Sequence, residues 1–166
     1  MAELTTPRDL FLHELGDIMY VEQKLSTEVL PKLISEVTDD EFRDALEQHL
    51  EQTKRHLANV EKVFDELGES PHAEQCIGFE GLKSEHDKLL SEASPDLVDS
   101  IDLGAAARTE CYEIAAYEGL RRMAKAMGED KAVDLLDRNL EEEKDALKMV
   151  AKIATRVSKE SAQALA

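Results

Sequence analysis

Apolar residues recur along most of this chain at the three- and four-residue spacing of an amphipathic helix, and this pattern restricts the fold most strongly. In the first helical run the apolar positions are Phe11, Leu15, Ile18, Leu25, Val29 and Leu33. Thr6-Pro7-Arg8-Asp9 and Thr38-Asp39-Asp40-Glu41 are start signals for the first two helices. Gly68 and Gly128 are stop signals for the second and third helices. The pattern therefore predicts an all-α protein with four long helices.

The connections between the four helices predict their arrangement. A third long helix is expected from Ser94-Pro95, and a fourth from about Glu129 to about Ser158. The segment before the third helix contains a shorter apolar run at 75–92, which predicts an additional helix. Short connections after the first and third helices favour antiparallel hairpins. We therefore expect one domain, residues 1–166, with a ferritin-like antiparallel four-helix bundle and an additional short helix in the long crossover between helices 2 and 3.

Two departures from regular helix are expected. Pro31 lies inside the first apolar run and lacks a backbone N–H, so it predicts a kink or an early end near Leu30. The C-terminal tail, about 159–166, follows the last apolar position of the fourth helix and is expected to be frayed.

The composition excludes several classes of partner. The formal net charge of −17 at pH 7 repels a phosphate backbone, so nucleic acid is not an expected partner. No apolar run of membrane-spanning length and no secretory signal is recognisable, which predicts a cytoplasmic protein with no membrane partner. Cys76 and Cys111 do not form a Cys-x-x-Cys pair, so a zinc knuckle is not expected.

Polar residues interrupt the apolar stripe near the midpoint of each long helix. They are Glu22 on the first helix, His49 and His56 on the second, Glu110 and Glu113 on the third, and Glu143 on the fourth. Helices of similar length in a bundle share one midpoint level, so these side chains are expected to meet in one layer. A buried carboxylate costs several kcal/mol unless it is paired or metal-bound, and histidine is the only basic residue on the stripes at this level.

The residue types in this layer favour iron or manganese, because carboxylate oxygens and imidazole nitrogens suit these ions. The sequence therefore predicts a metal site with one or two ions. The Glu-x-x-His pair of di-iron bundles is incomplete in both halves of the chain, as Thr53-x-x-His56 and Glu143-x-x-Ala146. Tyr117, one turn after Glu113, is placed to donate a hydrogen bond or an electron. The remaining histidines lie off the layer and are interpreted as surface residues: His13, His72 and His86.

Several stretches of the sequence carry a family resemblance. They are LFLHELGDIMYVEQKL at 10–25, His49-Leu50-Glu51 with Thr53, CIGFEGL at 76–82, ECYEIAAYEGL at 110–120 and LEEEK at 140–144. Through them the chain resembles the YciF/YciE-type ferritin-like stress proteins of bacteria over nearly its whole length. The resemblance implies a rubrerythrin-like fold, a homodimer, and metal ligands at Glu22, His49, Glu110, Glu113 and Glu143. His56 is a candidate on its chemistry alone, and Gln52 and Leu147 stand where family members often carry acidic residues.

The site and the resemblance lead to three hypotheses about function. The first is a bacterial stress-associated protein whose di-iron or di-manganese centre acts on dioxygen or peroxide, with oxidase, peroxidase or catalase-like activity. The second is metal binding or sequestration without turnover. The third is a structural stress protein with a degenerate site. Metal content separates the third hypothesis from the other two, and consumption of dioxygen or peroxide separates the first from the second.

Overall fold

A computed structural model of the chain describes residues 4–164, and within them it contains helices and no strand. The α-helices are α1 (Pro7–Lys24), α2 (Leu30–Glu36), α3 (Asp40–Glu66), α4 (Ile77–Glu92), α5 (Val98–Met127) and α6 (Asp130–Ala164). These bounds confirm the predicted all-α class and the additional helix between the second and third long helices. Within the same residues, no helix combines the length and the apolar character that crossing a membrane requires.

Side chains cap the helices at the predicted start signals. Thr6 accepts a hydrogen bond from the backbone N–H of Asp9, whose carboxylate accepts from the N–H of Thr6 in return. At the second start signal the capping residue is Asp39 rather than Thr38. Thr38 instead donates its hydroxyl to Asp99 across a distance of 2.5 Å, which ties the start of α3 to the start of α5.

The first long helix contains a π-helical turn, Leu25–Val29, that joins α1 to α2 without a break. The N–H of Leu30 bonds to the carbonyl of Leu25, five residues earlier. In a regular α-helix the ring of Pro31 would clash with the carbonyl of Thr27, and the wider turn relieves this conflict. The helix therefore continues to Glu36 instead of ending near Leu30.

Two other helix bounds differ from the sequence pattern. A single 3₁₀ turn, Pro95–Leu97, precedes α5, so the α-helix begins three residues after the proline. The apolar pattern of α6 ends near Ser158, but the helix continues to Ala164 through the segment that was expected to fray. An ion pair of 3.2 Å joins Arg156, before Ser158, to Glu160, in the segment after it.

Ion pairs and hydrogen bonds between helices show their directions. Arg156 near the end of α6 contacts Asp39 at the start of α3 at 2.8 Å. Lys131 at the start of α6 contacts Glu66 at the end of α3 at 2.7 Å, so these two helices are antiparallel. Arg8 at the start of α1 donates to the backbone carbonyl of Leu67, just after α3, at 2.8 Å. The helices α1 and α3 are therefore antiparallel as well.

The α4 segment returns the chain along the length of the molecule. Its start lies beside the middle of α5, where Cys76 contacts Tyr112 at 2.9 Å. Further along α4, His86 contacts Asp102 near the start of α5, so α4 is antiparallel to α5. Because of this return, α3 and α5 run in the same direction.

The inward faces of the long helices form one core. Its largest fully buried apolar side chains include Phe11, Leu15, Phe42, Phe64, Leu120 and Leu136. The same faces also bury polar side chains: Glu22, His49, Thr53, His56, Asp102, Glu110, Glu113, Asn139 and Glu143. Buried carboxylates need hydrogen bonds, opposite charges or a metal ion, so the glutamates and histidines in this set are the starting point for the candidate functional site.

Candidate metal centre

All six side chains that the sequence predicted for the polar layer are buried and lie close together. The four-residue cluster consists of His49, Glu110, Glu113 and Glu143, each with one ligand atom within 4.8 Å of the others. The three-residue cluster consists of Glu22, His56 and Glu143, with the same spacing. Glu143 belongs to both clusters and therefore links them.

Helix geometry explains why these residues converge. His49, Thr53 and His56 follow one another at intervals of four and three residues, so they share one face of α3. Glu110 and Glu113 are three residues apart on α5 and also share a face. The glutamates of α1 and α6 complete the two clusters from the remaining long helices.

The geometry of His56 sets the chemistry of the three-residue cluster. Its Nδ1 lies 2.7 Å from Glu143 Oε1 and 3.5 Å from Glu22 Oε1. Its Nε2 lies 3.0 Å from Glu142 Oε2. Burial opposes protonation of the ring, but the adjacent carboxylates of Glu143 and Glu22 outweigh it and raise the pKa of His56 to about 11. Without a metal ion this imidazole is therefore a cation, and metal binding through Nδ1 requires loss of its proton.

Among the described residues, the four-residue cluster contains more carboxylate oxygens without a hydrogen-bond partner than the three-residue cluster does. His49 Nε2 lies 3.3 Å from Glu110 Oε1 and 3.8 Å from Glu143 Oε2. Burial lowers the pKa of His49, which favours the neutral, metal-binding form of the ring. Burial, followed by repulsion from neighbouring carboxylates, raises the pKa of Glu113 well above its usual value. Both oxygens of Glu113 are buried with no hydrogen-bond partner among residues 4–164.

The orphaned acceptors test whether a metal ion fits these residues. Within the described chain, buried carboxylate oxygens of Glu22, Glu110, Glu113 and Glu143 have no hydrogen-bond partner. Native proteins rarely leave such atoms unsatisfied, and a divalent cation satisfies several of them at once. Four carboxylates with two imidazoles form a donor set that suits iron or manganese. The residues present therefore fit the metal.

A hydrogen-bond network surrounds the three-residue cluster. The hydroxyl of Tyr117 donates to Glu22, so this tyrosine has the first of the two roles that its position predicted. Asn139 donates to the Tyr117 hydroxyl at 3.1 Å and to the backbone carbonyl of His56 at 3.2 Å. Asn59 in turn donates to Asn139 at 2.8 Å. Such partners orient metal ligands and tune their basicity.

Two further residues contact this site and do not stand out in the sequence pattern: Asn139 and Glu142. Asn139 lies four residues before Glu143 on the buried face of α6, so helical spacing could have identified it. Glu142 precedes Glu143 on α6 and belongs to neither cluster. Only its contact with His56 Nε2 reveals that it helps to orient the ring.

One histidine, His86, is more buried than the sequence predicted. His86 was interpreted as a surface residue, but only 12% of its side chain is exposed. Its Nε2 lies 2.7 Å from Oδ1 of Asp102, which is fully buried on α5. The pair lies outside both clusters. The reason for the error is that α4 packs against α5, a contact that periodicity within one helix does not reveal.

We expect the metal-free protein to lose stability as the pH rises from 6.5 to 8.5. The folded pKa values of Glu110, Glu113 and Glu143 are raised, chiefly by burial, and that of His56 is raised to about 11. The unfolded chain releases these protons at lower pH than the folded chain does. The proton that His56 retains across this window lowers the free energy of unfolding by roughly 1.4 kcal/mol per pH unit.

Urea unfolding in the presence of a chelator, at several pH values across this window, measures the effect. Metal-loaded protein should show the opposite trend in its metal-dependent stabilisation, because protons compete with the metal for the same atoms. A free energy of unfolding that is constant or rises between pH 6.5 and 8.5 without metal would contradict the assignment of these buried acids.

Comparison with known proteins gives the family. Residues 6–163 match the family described as "Domain of unknown function (DUF892)". The chain belongs to the DUF892 family. This DUF892 protein is also 32% identical over 143 residues to Protein YciF of Escherichia coli strain K12, covering 85% of this chain and 86% of that one. The family resemblance drawn from the sequence motifs is thereby confirmed.

Two solved structures share the fold. The crystal structure of the E. coli stress protein YciF matches with a TM-score of 0.86 and 28% identity, covering 93% of this chain and 98% of that one. YcfI of Rhodopseudomonas palustris, provisionally described as a structural protein, also matches with a TM-score of 0.86, at 35% identity, covering 90% and 95%.

Proposed function

We propose that this DUF892 protein is a ferritin-like four-helix bundle that binds two ions of iron or manganese and acts on peroxide or dioxygen. The observation that carries the proposal is the position of Glu143, which is shared by the two clusters of buried ligand atoms. Glu143 would therefore offer a ligand atom to an ion held by either cluster. When bound, the metal would supply the electrons for reduction of peroxide or dioxygen.

The protein's own residues would prepare this centre in three ways. His56 would hold a metal through Nδ1 once that nitrogen has lost its proton, while Glu142 accepts a hydrogen bond from its Nε2–H. Tyr117 fixes Glu22 through its hydroxyl, and Asn139 fixes Tyr117. The surrounding apolar core excludes water, which strengthens the electrostatic interactions of the buried carboxylates.

The context of this activity is also a proposal. YciF is a stress protein of E. coli, and we propose that this relative acts in a bacterial stress response in the cytoplasm. A homodimer is supported by exposed apolar residues on α4, where Ile77 is 83% exposed and Leu89 is 40% exposed. Light scattering measures this directly, and a monomer mass at high protein concentration contradicts the dimer.

A structural role without metal is the second candidate. His56 already pairs with Glu143 and Glu142, so part of the buried charge is compensated by the protein alone. The description of YcfI as a structural protein points the same way. The second Glu-x-x-His motif also lacks its histidine, since Ala146 stands there. His49 and Glu110, however, bring additional ligand atoms to the same cluster, which favours the metal-binding proposal.

Metal-defined protein tests the proposal. The chain is stripped with a chelator, reloaded separately with iron and with manganese, and washed free of unbound ions before its metal content is measured. Consumption of peroxide and of dioxygen is then followed, with metal-free protein and free metal salts as controls. Two bound ions with consumption above both controls are expected. Two ions without consumption indicate sequestration, and no retained metal indicates the structural role.

A further inference from the structure

The second Glu-x-x-His motif lacks its histidine, and the small side chain of Ala146 stands there instead. Ala146 follows Glu143 by three residues on α6, so the two side chains share one face of the helix. Ala146 lines a cavity of about 160 Å³ together with His49 and Glu110 of the four-residue cluster. The place of the missing histidine is therefore part of a cavity that borders the candidate metal centre.

The six predicted ligands differ in how completely they are buried. His49 is 7% exposed and Glu110 is 4% exposed. The other four are exposed by 1% or less: Glu22, His56, Glu113 and Glu143. The two more exposed ligands are also the two that line the cavity. The cavity therefore meets the four-residue cluster at the edge where burial of the ligands is least complete.

The outer end of the cavity lies at the protein surface between α3 and α6. Gln48 of α3 and Asp145 and Met149 of α6 line the cavity and are exposed. Farther in, the walls include the buried apolar side chains of Phe42 and Leu46. The polar lining residues at the surface thus mark an opening, and the cavity leads from this opening to the edge of the cluster.

The charges around the cavity suit an uncharged molecule. Asp145 lies at the outer end, and the protein as a whole carries a net charge of −17, which repels anions. Lys83 and Arg108 also line the cavity, but each pairs with a glutamate of α4, at 3.4 Å and 3.3 Å respectively. Hydrogen peroxide and dioxygen are neutral, and both are small enough for this volume.

We propose that this cavity is the route by which the oxidant reaches the metal centre, and that Ala146 keeps the inner end of the route open. The inference rests on the proposed function and deepens it, because it assigns the side from which peroxide or dioxygen enters. A histidine at position 146 would extend from the same face of α6 as Glu143 and fill part of the cavity. Alanine leaves that space free beside the cluster.

Dissolved dioxygen tests the route in the metal-free, full-length protein. Dioxygen is paramagnetic, so it speeds the NMR relaxation of the methyl groups that it reaches. We expect its effect on Leu46, a buried residue of the cavity wall, to be about threefold larger than on Leu120 and Leu136, which are buried outside the cavity. An effect on Leu46 no larger than on Leu120 and Leu136 would overturn the route.

Matched variants test the role of Ala146. Ala146→Leu fills space beside the cluster without removing a ligand, so it should keep the metal content of the parent. Because a close-packed interior offers few other voids, its peroxide consumption should fall roughly tenfold and the dioxygen effect on Leu46 should fall in the metal-free form. Ala151→Leu, at an exposed position of the same helix, should leave all three quantities unchanged.

Two outcomes contradict the role of Ala146. One is folded, metal-loaded Ala146→Leu that consumes peroxide as fast as the parent does. The other is folded Ala146→Leu that loses its metal, because position 146 would then support metal binding rather than access. Should the variant fail to fold, the dioxygen effect on Leu46 of the parent protein decides whether the route exists.

The route and the proposed function can fail separately. The dioxygen effects are measured without metal, so a chain that binds no iron or manganese still shows whether the cavity admits a small neutral molecule. Conversely, metal-loaded parent protein that consumes peroxide while Leu46 and Leu136 show equal dioxygen effects retains the proposed function and loses only the route.

Discussion

Replacing Glu143 with alanine is expected to remove both metal ions, because this residue belongs to both clusters. A metal that binds the folded chain but not the unfolded chain stabilises the folded state. The stabilisation is about 4 kcal/mol when the free metal concentration is a thousand times the dissociation constant. The parent protein should therefore melt at a higher temperature with metal than with chelator. Glu143→Ala should lose most of this difference, together with most of the bound metal.

A surface glutamate provides the control for Glu143→Ala. Glu61 is exposed on α3, so Glu61→Ala should keep the metal content and the metal-dependent rise in melting temperature of the parent. Elemental analysis and thermal unfolding with and without metal measure both quantities. If folded Glu143→Ala retains two ions and shows the same metal-dependent rise in melting temperature as the parent, the proposal that Glu143 binds both ions is wrong.

Glu113→Gln is expected to change stability in opposite directions with and without metal. The buried carboxylate has no hydrogen-bond partner among residues 4–164, and repulsion from neighbouring acids adds to the cost of burying it. Glutamine has the same shape, carries no charge and can donate to Glu110 or Glu143. A hydrogen bond to a charged group contributes about 1.5–3 kcal/mol, so the metal-free variant should be more stable than the parent by about 2 kcal/mol at pH 8.

The loaded form should show the reverse, because glutamine is a weaker ligand than a carboxylate for iron or manganese. Metal affinity should fall at least tenfold in a competition titration, and the metal-dependent stabilisation should fall with it. Glu118→Gln, on the same helix but partly exposed beside Lys144, should change the free energy of unfolding by less than about 0.5 kcal/mol in either form. A metal-free Glu113→Gln variant that is less stable than the parent contradicts the argument.

The helices could be predicted from the sequence because their information is local. Capping residues such as Thr6 and Asp39 act within three or four residues, and the apolar period shows which face is buried. The π-helical turn was harder to predict. Pro31 indicated an irregularity, but the choice between ending the helix and widening one turn depends on whether the following residues can pack. Leu30 and Leu33 are buried, and their burial favours continuing the helix.

The candidate site was largely predictable for a different reason. Carboxylates and histidines at the midpoints of four helices stand out because each one interrupts an apolar stripe. Residues that contact the site from beside it do not interrupt a stripe in this way. Glu142 contacts His56 from the more exposed face of α6, and His86 contacts Asp102 through the packing of α4 on α5. Such contacts depend on the positions of whole helices relative to one another, which one sequence does not contain.

The π-helical turn at Leu25–Val29 holds one residue more than an α-helical turn in the same place would hold. Each residue rotates an α-helix by about 100°, so a relative that has a regular helix here needs one residue fewer to keep the same faces inward. An alignment with such a relative should open a single-residue gap within 25–29. Placing the gap before residue 22 instead would shift Glu22 out of register and make a retained candidate ligand look like a substitution.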